Sequence, residues 1–160
     1  MKGLMSRVVV LAEGQFSSTA PVKYAVALRK ALGTEVTVVY AVDIAAIRLL
    51  SACRIFVDEE SEEYERSLEE TGRHRLAFAQ TLAKEKGVEV ETRLLKGSIA
   101  DEVVRVAEEI GADCILLGGW RHDGEFRDIL FEASREIANL APCSVLVVKN
   151  RDAEKAYNAL

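Results

Sequence analysis

The chain has 160 residues, 49% of them apolar and 29% charged, with a formal net charge of -5. That make-up suits one compact domain with a sizeable core and excludes a disordered chain. With no basic stripe, nucleic acid is not expected as a partner. No apolar run reaches the ~18 residues that a membrane span needs, and no signal peptide is expected before the first strand. Cys53, Cys114 and Cys143 are odd in number, widely spaced and form no CxxC, which predicts reduced thiols in a cytoplasmic protein. Scarce Asn and Gln beside plentiful Glu and Arg point to a thermophilic source.

In chain order, strands alternate with helices. Arg7 to Ala12 is a β-branched run and reads as the first strand. Ser18 or Thr19 caps a helix with Pro21 in its first turn; Ala25, Leu28 and Leu32 form its apolar stripe and Gly33 stops it. Val36 to Val42 is a second, continuous apolar strand. Asp58 to Lys86 reads as a long helix with Tyr64, Leu68, Phe78 and Leu82 as its buried stripe. Its acidic start and its basic end at Lys84 and Lys86 complement the helix dipole, so the acidic run reads as a solvated helix start. Between these elements, Ile44 to Val57 is apolar but broken by Arg48 and Arg54. A lid, an oligomer contact, an extra core turn and a membrane-surface segment are all open readings for it.

Gly87 ends the long helix. Val88, Val90, Thr92 and Leu94 then alternate with Glu89, Glu91 and Arg93, as in a strand at or near a sheet edge. Ser98 to Asp101 reads as a capping box for a helix through Ile110, with Val103, Ala107 and Ile110 as its stripe. Cys114 to Leu117 is a buried-looking strand running into Gly118-Gly119. A charged loop (Trp120 to Gly124), a helical run, Ala141-Pro142-Cys143 and a last apolar strand, Ser144 to Val148, follow. Strands alternating with helices of this length imply right-handed βαβ units and a parallel sheet.

Enzyme signatures are missing. The chain has no GxxxxGK[ST] and no GxSxG, and its two histidines, His74 and His122, read as solvated or loop residues. No metal-ligand spacing is present and no catalytic residue is assigned. Trp120 follows the glycine pair; it could plug a pocket, stack on a base or pack on a partner.

The order Val8 to Gly14, Val90 to Gly97, Gly111-Ala112-Asp113 into a strand, and Ala141-Pro142-Cys143 resembles the universal stress protein family over about residues 6 to 149. The resemblance implies an α/β fold of Rossmann-like adenine-nucleotide-hydrolase type. Its expected form is a single open parallel five-stranded sheet in order 3-2-1-4-5, with helices on both faces. It divides the chain into a domain over 1–149 and a polar C-terminal tail over 150–160. ATP-binding members carry G-x2-G-x9-G-[ST]. Counted from Gly118, those positions are Arg121, Phe131 and Glu132 here, so one glycine of three survives. Glycines in such a loop let the backbone approach an anion, and the following helix offers free N–H groups to it. Phe131 adds bulk, and Glu132 is expected to put a carboxylate at the helix start. Arg121 could instead clamp a phosphate.

Ligands of open α/β sheets sit beyond the carboxyl ends of the strands, where strand order reverses. The implied pocket comprises Ala12, Glu13 and Gly14 on one side, Gly118, Gly119 and Arg121 on the other, and Ala41 and Val42 as a wall. ATP-binding relatives carry aspartate where this chain has Glu13, which could instead cap its own loop. The resemblance also implies a homodimer through the last strand, with Val145, Leu146, Val147 and Val148 at its centre, since an exposed apolar edge strand needs a cover. The tail could fold back over that strand, but its polarity predicts fraying. The expected protein is a dimeric binding or signalling module of the stress response without tight ATP binding. No cofactor is expected, ATP or AMP remain possible, and an unknown protein partner is open. The alternative is an ATP- or AMP-binding switch with slow or no ATPase activity, using Glu13, Gly118, Gly119 and Arg121.

Overall fold

The computed structural model describes residues 3–12, 19–55, 57–119 and 127–160, with the side chains of 127–130 left aside. Five parallel strands form one sheet in the order β3-β2-β1-β4-β5. They are β1 (Arg7–Leu11), β2 (Glu35–Asp43), β3 (Glu91–Gly97), β4 (Cys114–Gly118) and β5 (Ser144–Val148). The helices are α1 (Ala20–Leu32), α2 (Ile44–Ala52), α3 (Asp58–Glu85), α4 (Ile99–Ile110), α5 (Arg127–Leu140) and α6 (Asn150–Asn158). The expected fold and strand order are both present.

Strand side chains alternate between two cores. Val8, Val10, Val38, Tyr40 and Leu116 face α1, α3 and α6; Val9, Leu11, Val39, Ile115 and Leu117 face α4 and α5. A central parallel strand is buried on both sides, so β1, β2 and β4 read as unbroken apolar runs. β3 lies at an edge, as its alternation predicts, but ladder pairing starts at Glu91; Val88 and Val90 still pack on the α1/α3 side.

Several local expectations fail for identifiable reasons. Leu32 is 65% exposed because it is the last residue of α1, where Gly33 turns the chain away at φ +72°. Thr19 occupies the N-cap of α1 without a side-chain cap bond. Tyr64 and Phe78 are 44% and 48% exposed. Leu82 is buried and Leu68 packs on the core as expected, but the rest of the buried face of α3 is Ser61, Gly72, Leu76, Ala79 and Ala83. Large residues attract a stripe assignment from sequence, yet a helix lying close on a sheet needs small ones. Ser98 caps α4 through its carbonyl, which accepts from Glu102 N (3.0 Å); its side chain makes no cap bond. A capping box needs Glu or Gln three residues on, and Asp101 is one methylene shorter.

The tail does not fray. It forms α6, whose Ala153 and Tyr157 are buried against α1 and α3. The Tyr157 hydroxyl lies 2.9 Å from both the Leu82 carbonyl and Glu85 Oε2. Lys86 and Lys23 sit 4.6 Å and 5.4 Å from its ring centre, and Lys23 also pairs with Glu154. Buried aromatic area with a satisfied hydroxyl outweighs the polarity of the remaining tail residues. None of the described helices is long and apolar enough to cross a membrane.

Ile44 to Val57 contains α2, capped by Asp43, whose carboxylate accepts from Ala46 N (3.0 Å). The helix ends in a Schellman turn: Arg54 N donates to Ser51 O and Ile55 N to Leu50 O, each at 3.0 Å. Glycine is the usual residue at the left-handed position of such a turn. Here it is Arg54 at φ 57°, which costs roughly 1–2 kcal/mol.

Two predictions follow from packing. A Cβ at Gly72 would lie 2.5 Å from Tyr40 Cδ1 and 2.7 Å from Leu94 Cδ1. Gly72→Ala should therefore lower stability in urea unfolding by about 1–3 kcal/mol, although alanine is the better helix former by ~1 kcal/mol; a stabilised variant would refute the close approach. The second concerns Tyr157, whose ionisation is pushed up to about 12 by burial and then by Glu85. A raised folded value means that its contribution is complete below the unfolded value of about 10. It is lost as pH climbs through the folded value. Tyr157→Phe should destabilise by about 1–2 kcal/mol at neutral pH and flatten the loss of stability between about pH 10 and 12, both read from melting temperature against pH.

Candidate functional site

The strand registers build a crevice without help from side chains. Leu11, the last residue of β1, pairs with Val39 of β2, and Ala12 N donates to Val39 O (2.8 Å) before the chain leaves the sheet. β2 runs on through Tyr40, Ala41, Val42 and Asp43, held on its far side by β3 up to the pair Asp43↔Gly97. On the other flank β1 and β4 are paired as far as Val10↔Leu116, and β4 continues to Gly118, held by Val148 of β5. Both neighbours therefore overhang β1. The gap between them is the point where strand order reverses, the expected ligand position of an open α/β sheet.

Of the sequence-predicted pocket residues, the overhangs bring Ala12, Ala41, Val42, Gly118 and Gly119 to this one edge. Ala12, Val42 and Gly118 are buried; Ala41 and Gly119 are half-buried. Glu13, Gly14 and Arg121 lie outside the described residues, as does Trp120 with the rest of its loop. Gly119 N donates to Val148 O (3.2 Å), which ties the end of β4 to that of β5.

Phe131 and Glu132 correct the expected picture. α5 is already helical at Arg127, so these residues are at least fifth and sixth in it. The Glu132 carboxylate is not at the helix start. It is exposed, with Oε2 3.4 Å from Arg135 Nη2 along the same helix, beyond the turn where the dipole acts strongly. Charge repulsion from Glu132 is thereby weakened as a barrier to phosphate. Only the first four N–H groups of a helix are free of internal bonds. Those of Phe131 and Glu132 bond to carbonyls four residues back in a helix beginning at Arg127, so neither can turn to an anion without unwinding. Phe131 is half-buried.

One neighbour of the site escaped the sequence reading. Lys149 follows β5, and a Cβ on Gly119 would lie 3.6 Å from its Nζ. Its ammonium therefore stands over the glycine at the end of β4. The available signal was the parallel pairing itself, which puts the residue after β5 beside the residue after β4. Cys114 and Cys143 lie at the opposite, amino-terminal end of β4 and β5; burial raises Cys114 to about 11, and burial followed by Asp113 raises Cys143.

The same arrangement recurs in known proteins. The model of the universal stress protein family matches residues 5–149. Universal stress protein MJ0531 of Methanocaldococcus jannaschii is 30% identical over 148 residues, covering 92% of this chain and 84% of that protein. Among solved structures, hypothetical protein MJ0577 superposes with a TM-score of 0.72 at 18% identity, covering 92% of this chain and 97% of that one. A universal stress protein in complex with cAMP superposes with a TM-score of 0.64 at 21% identity, covering 92% and 99%. At such identities the structural likeness speaks to fold alone; the family match over most of the chain settles membership. The chain belongs to the universal stress protein family.

Proposed function

We propose that the protein is a homodimeric binding and signalling module of the stress response that does not hold ATP tightly. The observation that carries this reading is the placement of Phe131 and Glu132 inside α5, with their N–H groups committed to the helix. A triphosphate needs several converging donors, and the positions that supply them in ATP-binding members are here spent on secondary structure. The loss of two loop glycines, at Arg121 and Phe131, supports the same reading.

The crevice above β1 is the proposed binding site, with Ala12, Ala41, Val42, Gly118 and Gly119 at its edge and Lys149 beside it; Glu13, Gly14 and Arg121, expected there from sequence, lie outside the described residues. A smaller adenine nucleotide with one phosphate is the ligand class that suits it better than ATP. It demands fewer donors, and the cAMP complex of a relative of the same fold supports that choice. Calorimetric titration with ATP, AMP and cAMP tests this. Millimolar or absent ATP binding is expected, and micromolar ATP affinity would sink the proposal. Phe131→Gly with Glu132→Ser should loosen the start of α5 and raise ATP affinity by about tenfold, roughly the worth of one charge-assisted hydrogen bond. No gain from the pair would place the barrier elsewhere.

The homodimer rests on β5. The strand ends the sheet, is apolar except at Ser144, and keeps Val145, Leu146 and Val147 half-buried. Val147 belongs to neither core cluster, so its burial is open to completion by a second chain. Antiparallel pairing of two such strands would satisfy their free backbone groups and cover the apolar row. Val147→Arg should halve the mass measured by sedimentation equilibrium while leaving the far-UV circular dichroism unchanged; an unaltered mass would exclude this interface.

A further inference from the structure

The described strand ends around the crevice, Ala12, Ala41, Val42, Gly118 and Gly119, carry no charged side chain. Asp43, which follows at the end of β2, is engaged in capping α2. Lys149 differs from all of these, and its backbone is held from three directions. Val148 pairs with Gly118 in the β4–β5 ladder, Gly119 N donates to Val148 O (3.2 Å), and Lys149 O accepts from Ala153 N (3.1 Å). α6 is itself anchored through buried Ala153 and Tyr157, so the side chain of Lys149 starts from a fixed base. Along β5, Val145 packs with the α4/α5 core, while Leu146 and Val148 pack with the opposite one. Lys149 keeps extended backbone (φ -92°, ψ 146°), so the alternation continues and sends it to the α5 side of the sheet.

Gly119 lets the lysine stem cross the end of β4. A Cβ added there would lie 3.6 Å from both Cδ and Nζ of Lys149. The ammonium is uncommitted within the protein. Lys23 and Lys96 form ion pairs, but Lys149 has no carboxylate partner among the described residues. Lys149 also occupies the N-cap of α6 without a side-chain cap bond. The helix dipole disfavours a cation at that position, where Ser, Thr, Asp or Asn would bond the free N–H groups. Residues that break a local rule without compensation concentrate at functional sites.

We propose that Lys149 is the phosphate-recognising residue of the crevice and selects a terminal phosphomonoester, as in AMP, over a cyclic phosphodiester or an uncharged nucleoside. The assignment rests on the reading of the crevice as a nucleotide site. A lysine ammonium is a compact point charge without the bidentate fork of arginine, so its attraction follows the charge that the ligand brings to it. A phosphomonoester carries about -1.5 to -2 at pH 7, whereas a cyclic diester carries a single negative charge. One ammonium does not replace the converging donors that a triphosphate needs.

Calorimetric titration of the full chain with AMP, cAMP and adenosine tests the assignment. Lys149→Gln should weaken AMP binding about tenfold and cAMP binding about threefold, and leave adenosine binding unchanged. Lys149→Arg should keep AMP affinity within about twofold of wild type. The wild-type preference for AMP over adenosine should shrink as salt is added and be nearly lost in Lys149→Gln. Lys155→Gln removes the same charge further along α6 and should leave all three affinities unchanged. The melting temperature of Lys149→Gln should be unchanged or slightly higher, since a cation leaves the positive end of a helix. A lower melting temperature with equal weakening of AMP and adenosine would assign Lys149 to the fold and overturn the proposal. AMP bound equally by wild type and Lys149→Gln would overturn it while the nucleotide reading stands. A wild-type chain that takes none of the three ligands would overturn both.

Discussion

Burial of the central strands on both faces governs everything else in this molecule. β1 is the extreme case: Val8, Val9, Val10 and Leu11 are all buried, alternately towards α1 and α3 on one side and α4 and α5 on the other. Parallel strands can be joined only through crossovers, and those crossovers supply the two covering layers. The chain moves outward from β1 to β2 and β3, then crosses back past β1 to β4 and β5, which produces the order 3-2-1-4-5 and with it a reversal beside β1. β1 is also short at its carboxyl end, while β2 and β4 are carried further by their own outer neighbours. The crevice is the geometric remainder of that difference in length. Its walls are backbone and small side chains because they are strand ends.

What such a crevice accepts is then decided by the segments that enter it from β1 and β4. In this chain α5 is already helical at Arg127, which sets Phe131 and Glu132 a full turn inside it. At those positions the backbone N–H groups are internal to the helix and not free donors. The exposed Glu132–Arg135 pair illustrates the point, since the acidic side chain is already satisfied along its own helix. Lys149 brings a compensating positive charge from the opposite direction, out of β5.

The fold was legible from sequence because it depends on long-period signals. Continuous apolar runs identified the central strands, alternation identified β3 as an edge, and Gly33 and Gly87 marked helix ends at positive φ. Errors arose where local size and polarity were read without tertiary context. Tyr64 and Phe78 attracted a core assignment that belongs to Gly72 and Ala79. Fraying was expected of the tail, which instead forms α6, because a buried tyrosine counts for more than its polar neighbours, a balance that composition hides. Around the site, the strand-end residues Ala12, Val42, Gly118 and Gly119 were found through topology. Lys149 was missed because its role comes from strand pairing and not from any motif. The register of Phe131 and Glu132 was countable, but the starting point of α5 was not.

The contact between Gly72 and Tyr40 has a mechanical consequence. The ring of Tyr40 approaches the helix so closely that no side chain fits between them, which removes any slack between β2 and α3. Val42, two residues further along the same strand, is one wall of the crevice. The helix on the other side of that contact has 28 residues and is about 42 Å from end to end. Tyr40 thus pins the middle of that long helix, at Gly72, to the strand whose end forms one wall of the crevice.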